Sequence, residues 1–151
     1  MSPLEQQQRA AVLAEVQTWL RTPYMHRQRV RGLGVDCAWL LIKVYNQCGL
    51  LPAIDPGDYP QDWHLHRGQE LYLGWMDTYG HPVEQPQPGD VAIWKFGRTY
   101  SHGAVVMDDR RVIHSYRGIG VEWADMHEER LSSRPVLFYT FNSYGVENGG
   151  E

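Results

Sequence analysis

Between Val91 and Phe141 the chain divides into five short runs: VAIWKF, HGAVVM, RVIHSY, GVEWA and PVLFYTF. Each is rich in β-branched and aromatic residues, which suit the pleated, half-buried surface of a strand, and turn residues separate them. MDDRRV, between the second and third runs, reads as a tight hairpin. These features predict an antiparallel sheet of about five strands. The preceding residues carry a different periodicity. Val12, Val16, Trp19 and Leu20 recur at spacings of three and four, predicting a helix from Leu4 to Arg21 that Thr22-Pro23 ends. Asp36 is placed to N-cap a second helix running to about Cys48, with Leu41, Val44, Tyr45 and Cys48 on its apolar face and Gly49 as its stop. A third helix is expected from Leu65 to Tyr79, weakened by Gly68 and Gly74. YMHRQRVRGLGV, LPAIDPGDYPQDWHLH and EQPQPGD read as loops and turns. Helices first and strands second define an α+β domain, residues 1–145, with a polar tail over 146–151 expected to fray.

A chain of 151 residues is enough for one core. Its formal charge of −4 argues against nucleic acid as a partner, which calls for a basic excess. No run approaches the ~18 apolar residues of a membrane span, so no membrane partner is expected. MSPLEQQQRAAVLAEV has no apolar segment like a secretion signal. The expectation is a protein made in the cytoplasm and carried to any outside target by other machinery. Cys37 and Cys48, eleven residues apart, would lie roughly 16 Å apart on one helix, too far for a disulfide. Without Cys-x-x-Cys or His-Glu-x-x-His spacing no metal is expected, even with His64 and His66 close together in HLH, and no cofactor is expected either.

GVDCAWLL carries the chemistry. The attacking form of cysteine is the thiolate, and unpaired N–H groups at a helix start favour it. The Asp36 carboxylate opposes that effect, so a histidine partner matters more. His102 opens one predicted strand and His114 closes the next, twelve residues on. If the strands pair through the Asp108-Asp109 hairpin, the two rings become neighbours. One can then serve as base toward Cys37 while the other fixes its tautomer. On this reading Cys37 should alkylate below pH 8 and faster than Cys48, whose thiol reads as ordinary packing. Arg27, Arg29 and Arg31 read as a solvated loop, and Trp39, Trp63, Trp75 and Trp94 as core or cleft wall.

The order GVDCAWLL, PGDVAIW, HGAVVMDDRRVIHSY resembles the NlpC family of papain-like cell-wall cysteine peptidases over roughly Thr22 to Tyr116, and most resembles small versions from phage tails. The resemblance implies a papain-like fold with Cys37 as nucleophile, His102 as base and His114 as orienting residue. It also implies that Tyr24 lines the site near the oxyanion and that Asp36 binds a substrate's free amine. The implied substrate is a peptidoglycan stem peptide, cut between D-glutamate and a diamino acid. Phage tail-tip proteins are the implied partners and the cell wall the place of action. Trp39 stands where the family has glycine, and Ala38 lacks a hydroxyl that some members use; both bear on substrate preference. Two other readings of the residues remain: a catalytically weak or inactive structural module of a tail tip, and a papain-like transferase or deamidase.

Overall fold

The computed structural model describes residues 1–54 and 71–147. Helix α1 spans Pro3–Gln17. The Ser2 hydroxyl accepts the Glu5 N–H at 3.1 Å, and Pro3 occupies the first turn, where its missing N–H costs nothing. The helix stops at a Thr18 cap, short of the predicted Arg21, which sits in the left-handed region at φ 72°. Within the stretch expected as loop, β1 (Arg29–Val30) and β2 (Gly34–Val35) form a small antiparallel ribbon. Then come α2 (Cys37–Gln47) and α3 (Leu71–Tyr79). The predicted start of the third helix, residues 65–70, lies outside the described residues, as do Trp63, His64 and His66.

Among the described residues the main sheet has six antiparallel strands: β3 (Gly80–Val83), β4 (Val91–Phe96), β5 (Thr99–Val106), β6 (Arg111–Tyr116), β7 (Gly120–Asp125) and β8 (Val136–Phe141). Their order is β3-β8-β4-β5-β6-β7. The α+β expectation holds, with one strand more than expected. GHPV lacks a strand's composition, but among the described residues it pairs only with β8, and an edge is where a proline such as Pro82 is tolerated. A one-turn helix, α4 (Glu129–Ser132), separates β7 from β8.

Both faces of the central strands are covered, which is why VAIWKF shows no clean alternation. Val91, Ile93, Val105, Ile113 and Phe141 pack under the helices with Val16, Leu40 and Tyr45. Trp94, Ala104, Val106, Val112 and Leu131 form a second cluster on the opposite face. Helices α2 and α3 sit directly on β5. A Cβ at Gly103 would lie 2.6 Å from Leu41 Cδ1 and 3.0 Å from Tyr72, so glycine lets the helix start reach the strand.

The Asp of PGD has a structural task. Asp90 Oδ1 pairs with Arg9 at 3.0 Å, side chains 2% and 9% exposed, and Asp90 Oδ2 accepts the Gln87 N–H at 2.7 Å. Arg9 also bonds Pro88 O, Glu5 and Thr140 and lies over the Tyr144 ring. Removing one partner leaves a charge buried and underpaired, which costs about 3–5 kcal/mol. With Glu5 still in place, Asp90→Ala should cost about 3 kcal/mol and lower the urea midpoint by roughly 1–1.5 M. An unchanged midpoint would rule out this role.

Candidate active site

Local chemistry sets Cys37 at the first helical position. Asp36 is extended and its Oδ1 accepts the Trp39 N–H at 2.9 Å, capping α2. Its Oδ2 accepts the Arg27 N–H at 2.8 Å. The Cys37 thiol donates to the Ser101 carbonyl at 3.6 Å. The Gly103 N–H, the Cys37 N–H and the Tyr72 hydroxyl all favour the sulfur's anion by hydrogen bonding. The sulfur thus rests on the β5 main chain on either side of His102. Tyr24, half-buried and bridged to Val35, is near enough that the negative charges of Cys37 and Asp36 add to burial in pushing its hydroxyl pKa up.

The imidazoles come from the adjacent strands. The β5–β6 ladder is short, Val105 opposite Ile113 and Val106 opposite Val112. Beyond it, diagonal neighbours on one face come within reach of each other, and His102 Nε2 lies 2.8 Å from His114 Nδ1. The register also shifts between Trp94 and Lys95, so that Ser101 has no partner across from it. Such bulges bend and twist a strand and re-aim its side chains. The His102 ring sits among Phe96, Tyr116 and Trp94, with centroids 4.9, 5.5 and 6.0 Å away.

The network goes further than the sequence suggested. His114 Nε2 lies 2.8 Å from Glu122 Oε2, its direct partner across the β6–β7 ladder. Glu122 accepts from Arg130 at 3.0 Å, and Arg130 also bonds Glu128 and lies over the Tyr116 ring at 4.3 Å. The available signal for Glu122 was a carboxylate inside the apolar run GVEWA. Tyr72 had no comparable signal, because its approach to the sulfur depends on how α3 docks.

The electrostatics depart from the expected activated thiolate. Burial pushes the Cys37 thiol up to about 12, and Asp36 adds to the rise, outweighing Tyr72 and the two amides. Burial holds both His102 and His114 below 6.5; the neighbouring His114 lowers His102 further, while Glu122 partly restores His114. Thiol and imidazoles are therefore neutral at pH 7. Cys48, half-buried, is raised less, to about 11, by burial and then Glu15. Iodoacetamide should consequently modify Cys48 first. Because the thiolate is the reactive form, labelling of Cys37 should climb about tenfold per pH unit from 7 to 9. A plateau for Cys37 below pH 8 would contradict the neutral pair.

Asp36 is 1% exposed, with an oxygen committed to each of two main-chain amides. Its position gives it a capping role. The Trp39 indole leaves α2 about 200° around from Cys37 and lies under the Arg29 guanidinium at 4.5 Å, so the bulky residue packs on the ribbon side. Among the described residues no group of three or more His, Cys, Asp or Glu could hold a metal ion. Nor is any helix there long and apolar enough to cross a membrane.

No protein-family profile and no curated protein sequence matches the chain. Solved structures do. The NlpC/p60 domain of the peptidoglycan hydrolase SagA superposes with a TM-score of 0.56 at 21% identity, covering 85% of this chain and 96% of that domain. An NLP/P60-family protein of Staphylococcus aureus subsp. aureus Mu50, described as similar to a lipoprotein, gives 0.64 at 17%, over 89% of this chain and 41% of that one. The P60 domain of an antigen from M. avium paratuberculosis gives 0.58 at 15%, over 89% and 93%. The chain has the NlpC/P60 papain-like fold.

Proposed function

We propose that the protein is a cysteine peptidase acting on peptidoglycan stem peptides. The observation that carries this reading is a thiol at a helix start, seated against the strand residues that flank an imidazole, itself bonded to a second imidazole at 2.8 Å. In this reading His102 Nδ1 and the Cys37 sulfur come within hydrogen-bond reach. As the sulfur attacks an amide carbonyl, its proton passes to His102 Nδ1 and the S–C bond forms. The Cys37 N–H and the Tyr24 hydroxyl face the developing oxyanion. The C–N bond then breaks, and the His102 proton leaves on the amine. Water gives a proton to His102 and attacks the thioester, and the acid departs as the thiol is restored. A neutral resting pair suits this sequence, because the proton moves only when an electrophile arrives.

The likeness to a peptidoglycan hydrolase domain supports the cell-wall substrate. The finer reading is cleavage between D-glutamate and a diamino acid, with delivery by a phage tail. Digesting purified peptidoglycan and weighing the soluble fragments tests it: each cut should yield one new D-glutamate carboxyl and one new diamino-acid amine. Ammonia release without chain cleavage would indicate a deamidase instead. The structural-module reading draws on one observation, a Cys37 only 7% exposed, and would be favoured if sacculi remained intact.

A further inference from the structure

Two imidazoles joined to each other leave open which nitrogen is bare, and the contact beyond them decides it. Glu122 Oε2 meets His114 Nε2 at 2.8 Å and is held from the other side by Arg130 at 3.0 Å. An ionised carboxylate only accepts, so the proton in that contact sits on His114 Nε2. A neutral His114 then has a bare Nδ1, which accepts from His102 Nε2 across 2.8 Å. A neutral His102 with its proton on Nε2 has a bare Nδ1. We propose that Glu122 is a positioning residue: through His114 it sets the tautomers of both rings and makes His102 Nδ1 the nitrogen able to take a proton. The claim that this nitrogen serves Cys37 rests on the peptidase reading; the tautomers themselves do not.

The position of Glu122 fits this role. It is the register partner of His114, its side chain is 24% exposed against 0% for His114, and Arg130, lying over Tyr116, braces it against the aromatic wall of the two rings. Arg130 also counters the carboxylate's pull on the rings, lowering both imidazole pKa values and helping to keep them neutral.

Two-bond ¹H–¹⁵N correlation spectra of the uniformly labelled full chain at pH 7.5 report each tautomer directly. In the unaltered protein, both His102 and His114 should carry the proton on Nε2. Glu122→Gln keeps an acceptor oxygen, so the tautomers should persist and peptidoglycan release should stay within about 10-fold of normal. Glu122→Leu removes the acceptor: His114 should lose its single tautomer, and kcat should fall about 100-fold or more with KM little changed, as when a base is held in the wrong tautomer. A proton on Nδ1 of either ring in the unaltered protein overturns the proposal, whether or not the leucine variant folds. So does a folded Glu122→Leu with unchanged tautomers and unchanged kcat. If the spectra match and peptidoglycan is never cut, the peptidase reading fails and the tautomer assignment stands.

Discussion

Cys37→Ala should release no stem-peptide fragments above background, a loss of about 10⁴-fold or more, since removing a nucleophile leaves only binding and oxyanion stabilisation. Stability should hardly change. The substitution deletes one buried sulfur and its 3.6 Å contact with the Ser101 carbonyl, while Asp36 still caps the helix and alanine is a good helix former. Urea unfolding of the two proteins should therefore superimpose within about 1 kcal/mol. A folded Cys37→Ala that still cuts would transfer the chemistry elsewhere, and Cys48 is no candidate because it lies at the far end of α2.

The second large effect is at His102. Losing the general base should cost about 10²–10⁴-fold in kcat. Alanine would also open a cavity among Trp94, Phe96 and Tyr116, so His102→Gln, which keeps most of the volume, isolates the chemical contribution. His114→Ala should cost less, because His114 orients rather than carries the proton. A His102→Gln variant with full kcat would mean that another group takes the thiol's proton.

Local interactions made the centre of this site legible in the sequence. The Asp36–Cys37 step reads as a helix start because capping needs only the residues on either side of it. His102 and His114 could be joined on paper because one short hairpin connects their strands. What stayed hidden depends on distant packing. Cys37 looks like an activated thiol until α3 brings Tyr72 over it and β5 comes up beneath it; burial then reverses the expected shift. Glu122 resembles an ordinary solvent-facing strand residue until the β6–β7 register sets it opposite His114. The edge strand GHPV becomes a strand only because β8 lies beside it, and α1 ends early because the chain turns at Arg21 toward β7, where the Arg21 N–H bonds Val121 O at 3.0 Å.

The central claim is that one sulfur and one imidazole act together on a stem-peptide amide, and an electrophilic mimic puts it to the most direct test. A stem-peptide vinyl sulfone, incubated with the full chain and followed by intact mass and peptide mapping, should add once, at Cys37. Cys48 should remain free, and His102→Gln should slow the addition about 100-fold. Addition at Cys48, or addition at Cys37 at the same rate without the His102 ring, would contradict the account.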